Sequence, residues 1–359
     1  MIIFTGDILA VGFPQTFFSL YGSQDVAAMK TFIEKTVAFF MAQVRLAVGD
    51  IPVMFAVGNA DSYSGYGPDS GFLSNTAELF YTHFLNGTVD HQAFLTTFTS
   101  NGYYSAEPSG TDVMVIGLNT ILFSPLVPGD HDSAVDTELA WLDSRLASAR
   151  ADGKKVWLLM HAPPGADLGS TASLVDDDGL ISSATMMWKS DDQARFLDIL
   201  SAYPGVITLM LAGHTHMDEY RILTSADVLE VTPSISPLFG NNPAFKIFTV
   251  SSDTFKPMDY QSVIYDLAIT PEQFNSYYTF SEAYSMEGPL DHSLVHLFPA
   301  LATDNEKQAL YRGHFFSGHN YTLPLTHTIK PITDTTWPVF WSGIGIMEQQ
   351  EFIDSVNAY

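Results

Sequence analysis

Along the chain, short unbroken apolar runs alternate with longer stretches in which apolar residues recur every three or four positions. Val53 to Val57, Val113 to Leu118, Val156 to Met160 and Val206 to Ala212 contain almost no polar residue, which predicts strands covered on both faces. Ile2 to Thr5 reads the same way. Asp25 to Ala47 places Val26, Met29, Ile33, Val37, Phe40 and Val44 on one helical face. Thr137 to Ala149 does so with Leu139, Leu142 and Leu146, and Gly153 lies beyond its end. Strand followed by helix, repeated, predicts an α/β fold.

Two stretches break the periodicity. Gly58 to Gly71 is rich in Gly, Ser, Tyr and Asp and predicts a loop, whose aromatics from Tyr63 to Phe72 could stack a base or cover a cationic head group. Ser170 to Asp178 predicts a second polar loop, a flap. From about Pro271 the pattern changes to short helical pieces crowded with Tyr, Phe and His. We therefore expect a larger domain over 1–270 and a small, mainly helical C-terminal subdomain over 271–359.

Composition narrows the function classes. The 359 residues are 46% apolar, enough to bury a large core, while only 15% are charged, with 15 basic against 40 acidic side chains and a net charge of −25. Such a surface repels polyanions, so a nucleic-acid polymer is not the expected partner. The acidity itself reads as solubility in a salty medium. The absence of cysteine excludes disulfides, thiolate ligands and a cysteine nucleophile, and fits a bacterial protein. No apolar run is long enough for a transmembrane segment and the N-terminus shows no export signal, so the sequence as given predicts a soluble, cytoplasmic chain. Export to the periplasm or medium would need a signal lost upstream of Met1.

The chemistry lies where the strands stop. Ile2 to Thr5 runs into Gly6-Asp7, Val53 to Val57 into Gly58-Asn59, Val156 to Met160 into His161, and Val206 to Ala212 into Gly213-His214-Thr215-His216. Two histidines one residue apart at a strand end let both imidazoles lean toward one ion. A nucleophile elbow and a Walker phosphate loop are both absent. Asn86-Gly87-Thr88 and Asn320-Tyr321-Thr322 match a glycosylation acceptor pattern that arises readily by chance.

Set in order, these motifs resemble the calcineurin-like metallophosphoesterases. The segments Thr232 to Pro237 and Gly240 to Phe245 are similar to the substrate-side loop of their acid sphingomyelinase-like branch. The resemblance implies a four-layer β-sandwich flanked by helices and a metal-dependent phosphoric ester hydrolase acting on a small phosphoester. It makes Asp7, Asn59, His161, His214 and His216 the metal ligands.

Three features depart from the pattern. No Asp-x-His precedes Asp7, Ala60 stands where a histidine usually protonates the leaving group, and Val11 stands where the branch carries another histidine. The resemblance then implies one tightly bound divalent ion, Zn before Mn or Fe, held by Asp7, Asn59, His161 and His214, with His216 as a fifth ligand or a supporting group. Asn59 doubles as a catalytic group. His131, in Gly129-Asp130-His131-Asp132, is the candidate acid, while His83 and His91 read as structural and the pair His314 and His319 fits no metal spacing. Other readings are a non-catalytic relative with a degraded site and an incomplete chain of an ordinary two-metal enzyme. The missing strand would leave a sheet edge open, predicting cover by a second copy of the chain or by Trp337 to Ile346.

Overall fold

In a computed structural model the chain forms two compact units, Met1–Ala162 and Pro163–Tyr359. The structure describes all residues except 68, 226, 270–272 and 320–329. The expected boundary at Pro271 and the Asn320-Tyr321-Thr322 motif fall outside the described residues.

The first unit carries β1 (Ile2–Phe4), α1 (Phe13–Tyr21), α2 (Val26–Val48), β2 (Val53–Phe55), α3 (Ser70–Phe80), α4 (His91–Asn101), β3 (Tyr104–Ala106), β4 (Val113–Gly117), α5 (Asp132–Ala151) and β5 (Lys155–Leu159). β1 runs parallel to β2 with Ile2 opposite Val53 and Phe4 opposite Phe55. β4 runs parallel to β5 and antiparallel to β3. Except for β3, these are the runs read from the sequence, and β2 and β4 are buried at every position, as unbroken apolar strands should be.

α2 starts where Asp25 accepts from the N–H groups of Ala27 and Ala28, and it buries Met29, Ile33, Val37 and Met41. The Tyr104 hydroxyl bonds both the N–H and the carbonyl of Phe55, at 2.9 Å each. A side chain at Gly117 would overlap the Tyr104 ring and the Phe55 carbonyl, so glycine there lets β3 and β2 close in.

The second unit contains α6 (Leu168–Ala172), α7 (Ser190–Ala202), β6 (Ile207–Ala212), β7 (Glu219–Ile222), β8 (Val228–Val231), β9 (Ala244–Val250), β10 (Pro257–Tyr265) and β11 (Phe274–Thr279). The helices α8 (Phe280–Tyr284), α9 (Leu290–Ala300), α10 (Asn305–Phe315), α11 (Trp337–Gly345) and α12 (Gln349–Ala358) follow. β6 is parallel to β8, β8 antiparallel to β7, and β9, β10 and β11 form an antiparallel meander.

The expected short helices after residue 271 are present, preceded by the strand β11. Their apolar faces share one core with residues from Ala166 to Tyr260. Trp337 to Gly345 is a helix within that core, set against β7, α6 and α12. The expected polar flap at Ser170 is in part helical, because Asp167 accepts from the N–H of Ser170 and starts α6. The whole is a mixed α/β fold with helices flanking its sheets.

Candidate metal centre

Three residues predicted as ligands meet in the first unit. The chain leaves β1 through Gly6 (φ 104°) and Asp7 (φ 57°), a left-handed turn that only glycine enters without cost. A Cβ at Gly6 would overlap the His161 ring, and one at Gly58 would overlap the Asp7 carboxylate. The two glycines therefore let the three strand ends touch. Ala60 N–H donates to Asp7 Oδ1 at 2.7 Å, and the Thr120 hydroxyl donates to the Ala162 carbonyl at 2.9 Å, fixing the turn after His161.

His161 decides what the cluster can hold. Its Nδ1 lies 2.6 Å from the Thr5 carbonyl, which can only accept, so Nδ1 carries a proton. In the neutral ring Nε2 is then a lone-pair donor, and it faces Asn59 Oδ1 at 3.1 Å and Asp7 Oδ2 at 3.4 Å. Ligand bonds of about 2.0–2.2 Å set adjacent donors roughly 3.0–3.6 Å apart. One nitrogen and two oxygens at this spacing fit a divalent cation, and a carbonyl fixing the opposite ring nitrogen is the usual support of a ligating histidine. Among the described residues no group of three or more His, Asp or Glu is gathered to hold a metal, so the third donor of this set is the amide of Asn59.

Burial disfavours the charged form of His161, yet Asp7, the Thr5 carbonyl and Asp61 together raise its pKa above the ordinary value. The neighbouring carboxylates therefore favour positive charge on the ring.

Asp61 was not foreseen. Its carboxylate, fully buried, accepts from the N–H groups of Asp7 (3.1 Å), Ile8 (2.8 Å), Leu9 (3.2 Å) and Gly58 (2.9 Å). It thus ties the Gly-Asp turn to the Gly-Asn turn. Burial, with the Asp7 carboxylate adding to it, pushes its pKa up to about 7 against those donors. The available signal was an aspartate two residues after Asn59, which in a Gly/Ser-rich loop looks like an ordinary solvated side chain.

In the second unit, His214 (φ 72°) and His216 (φ 68°) sit in the turn that follows β6. Such angles are costly for non-glycine residues and are kept where the surroundings enforce them. Thr232 N–H donates to Ala212 O at 2.8 Å and Ser234 N–H to His216 O at 3.2 Å, so the turn is laced to the loop predicted on the substrate side. The His216 ring lies edge-on to Phe239, 4.7 Å between centroids. That loop is held from within by buried Asn241, whose amide donates to the carbonyls of Ser234, Ser236 and Asn242.

Beyond the turn, Asp218 meets Lys246 at 2.7 Å, and Lys246 meets Glu230 at 2.6 Å, all nearly inaccessible to solvent. Tyr278 donates to the other Asp218 oxygen at 2.8 Å.

The remaining histidines divide as follows. His131 sits at the N-terminus of α5 with Nε2 2.9 Å from the Pro128 carbonyl. His314 lies stacked on Tyr278 with 3.7 Å between centroids, and burial lowers its pKa to about 4. His91 pairs with Glu78 at the surface. Tyr63 and Phe72, offered by the sequence as stacking groups, are buried and pack edge to face on each other.

Three strand ends of the first unit thus bring the polar atoms of an aspartate and an asparagine side chain within 3.4 Å of one histidine nitrogen. The chain belongs to the calcineurin-like phosphoesterase family, which matches residues 1–218. Cyclic GMP-AMP phosphodiesterase SMPDL3A of Rattus norvegicus is 26% identical over 267 residues, covering 68% of this chain and 56% of that protein. Sphingomyelinase phosphodiesterase C of Dictyostelium discoideum is 25% identical over 242 residues, covering 59% and 48%. The chain thus spans about half the length of these curated relatives. A solved dimetal phosphatase from Danio rerio aligns with a TM-score of 0.38 and 11% identity, over 73% of this chain and 76% of that one.

Proposed function

We propose that this phosphoesterase is a metal-dependent hydrolase of small phosphoric esters, either phosphodiesters or esters with an activated leaving group. The observation that carries this reading is the convergence of His161 Nε2, whose opposite nitrogen is held by the Thr5 carbonyl, with Asn59 Oδ1 at 3.1 Å and Asp7 Oδ2 at 3.4 Å. Asp7, Asn59 and His161 would hold the ion, and the order of motifs in the sequence proposes His214 and His216 as its remaining ligands. A divalent cation in such a site polarises a phosphoryl oxygen and acidifies water.

The chain's own residues do the rest. Thr5 keeps His161 in the ligating tautomer, Asp61 locks the Asp7 and Asn59 turns together, and Asn59 presents an uncharged oxygen that does not repel a phosphoester. Ala60 brings no proton, so His131 is the proposed donor to the leaving group. Zinc is the proposed ion, one per chain, and the acidic surface favours small substrates over polymers. No helix among the described residues is long and apolar enough to cross a membrane. Cover of the open sheet edge is proposed to come either from a second copy of the chain, as a homodimer, or from the segment Trp337 to Ile346.

Hydrolysis of an activated aryl phosphodiester, measured before and after chelation and after return of Zn2+ or Mn2+, tests this. Activity lost on chelation and restored by the metal supports the proposal, and activity indifferent to both contradicts it. Ala60 favours a second reading, a binding protein that keeps the fold without turnover. Metal binding with no hydrolysis of any aryl phosphoester would select it.

A further inference from the structure

α9 buries Leu290, Ser293, Leu294 and Leu297, and this register turns residues 292 and 296 outward. Both are histidines, both are exposed, and their rings lie 4.2 Å apart between centroids at 75°. Residues four apart on a helix stack one turn above the other. An ion bonded at about 2.0–2.1 Å to a nitrogen of each ring would hold the centroids roughly 4.5–5 Å apart, so a small side-chain adjustment brings both nitrogens to one point.

We propose that His292 and His296 form a surface chelating pair for a borderline divalent transition-metal ion, completed by water, on an element that carries none of the five candidate ligands of the catalytic site. Neutral imidazoles select Cu2+, Ni2+ or Zn2+ over the hard ions Mg2+ and Ca2+. The net charge of −25 attracts cations to the surface in general. The nearby ammonium of Lys256 is engaged by Asp291 at 2.6 Å, which offsets its repulsion. Because one helix presents both rings, the second bond forms intramolecularly, and losing either ring should weaken binding roughly tenfold or more.

The test uses the full chain carrying Asp7→Ala and His161→Ala, so that it does not depend on the proposed catalytic ion, and titrates it calorimetrically with Cu2+, first without and then with excess Mg2+. The expected result is a binding step that His292→Ala or His296→Ala each weakens at least about tenfold, with unchanged circular dichroism because both side chains are exposed. Titration curves unaffected by either substitution, or binding abolished by Mg2+, would overturn the proposal.

Discussion

The backbone N–H of Asp7 donates to the carboxylate of Asp61 at 3.1 Å, so the first candidate ligand is held by an acid 54 positions further along the chain. Asp61 also accepts from Gly58 N–H at 2.9 Å, and the two strand-end turns therefore share one buried anchor. The placement of the donor set depends on this junction as much as on the donors themselves.

The closeness of the junction gives the first prediction. A methyl at residue 58 would occupy the space of the Asp7 carboxylate and N–H. Gly58→Ala should lower hydrolysis of an aryl phosphodiester by roughly a hundredfold, the usual scale for a displacement of about 1 Å at a reacting centre. Rates within a fewfold of the parent chain would show that Asp7 need not sit where the structure has it.

Leaving-group protonation is open to kinetics. If His131 donates the proton, rates across aryl esters of rising leaving-group pKa should fall gently in the parent chain and steeply in His131→Ala. An identical slope in the two proteins removes His131 from the reaction.

Lys246 neutralises two buried acids. Lys246→Met leaves Asp218 and Glu230 without their cation, and breaking a buried pair of this kind typically costs about 3–5 kcal/mol. Urea denaturation should show a loss of that size. A loss below about 1 kcal/mol would mean that the network relaxes to admit water.

Glu138 predicts a pH dependence. Burial pushes its pKa from 4.5 up to about 8, opposed by the N–H of Asn119, which donates at 2.7 Å. The folded chain therefore keeps a proton that the unfolded chain releases above its ordinary pKa, so the contribution of Glu138 to stability is largest at low pH and is lost as pH rises through about 4.5 to 8. Glu138→Gln, which cannot ionise, should lose less stability across this window than the parent chain, by on the order of 2 kcal/mol or more. Parallel stability curves for the two proteins would refute a buried, neutral Glu138.

The sequence made the parallel strands and their chemical ends legible because both depend on local order. An unbroken apolar run such as Val113 to Gly117 needs no partner to be recognised, and Gly6-Asp7 or Gly58-Asn59 follows directly in the chain. Asp61 was illegible because its role is created by N–H groups from two turns far apart in sequence. β9 was missed for a related reason. Lys246 interrupts its apolar pattern, and only the distant carboxylates of Asp218 and Glu230 make a buried lysine tolerable there. Asp167 hid the start of α6 because a capping residue resembles any polar loop residue until its N–H partner is seen.

The central claim is that Asp7, Asn59 and His161 hold the ion that hydrolysis requires. Elemental analysis of purified parent chain, Asp7→Ala and His161→Ala, with aryl phosphodiesterase activity measured on the same samples, tests it most directly. The account predicts about one tightly held divalent ion in the parent chain, and loss of both metal and activity in each variant. Full metal content in either variant, or activity that survives its loss, would contradict it.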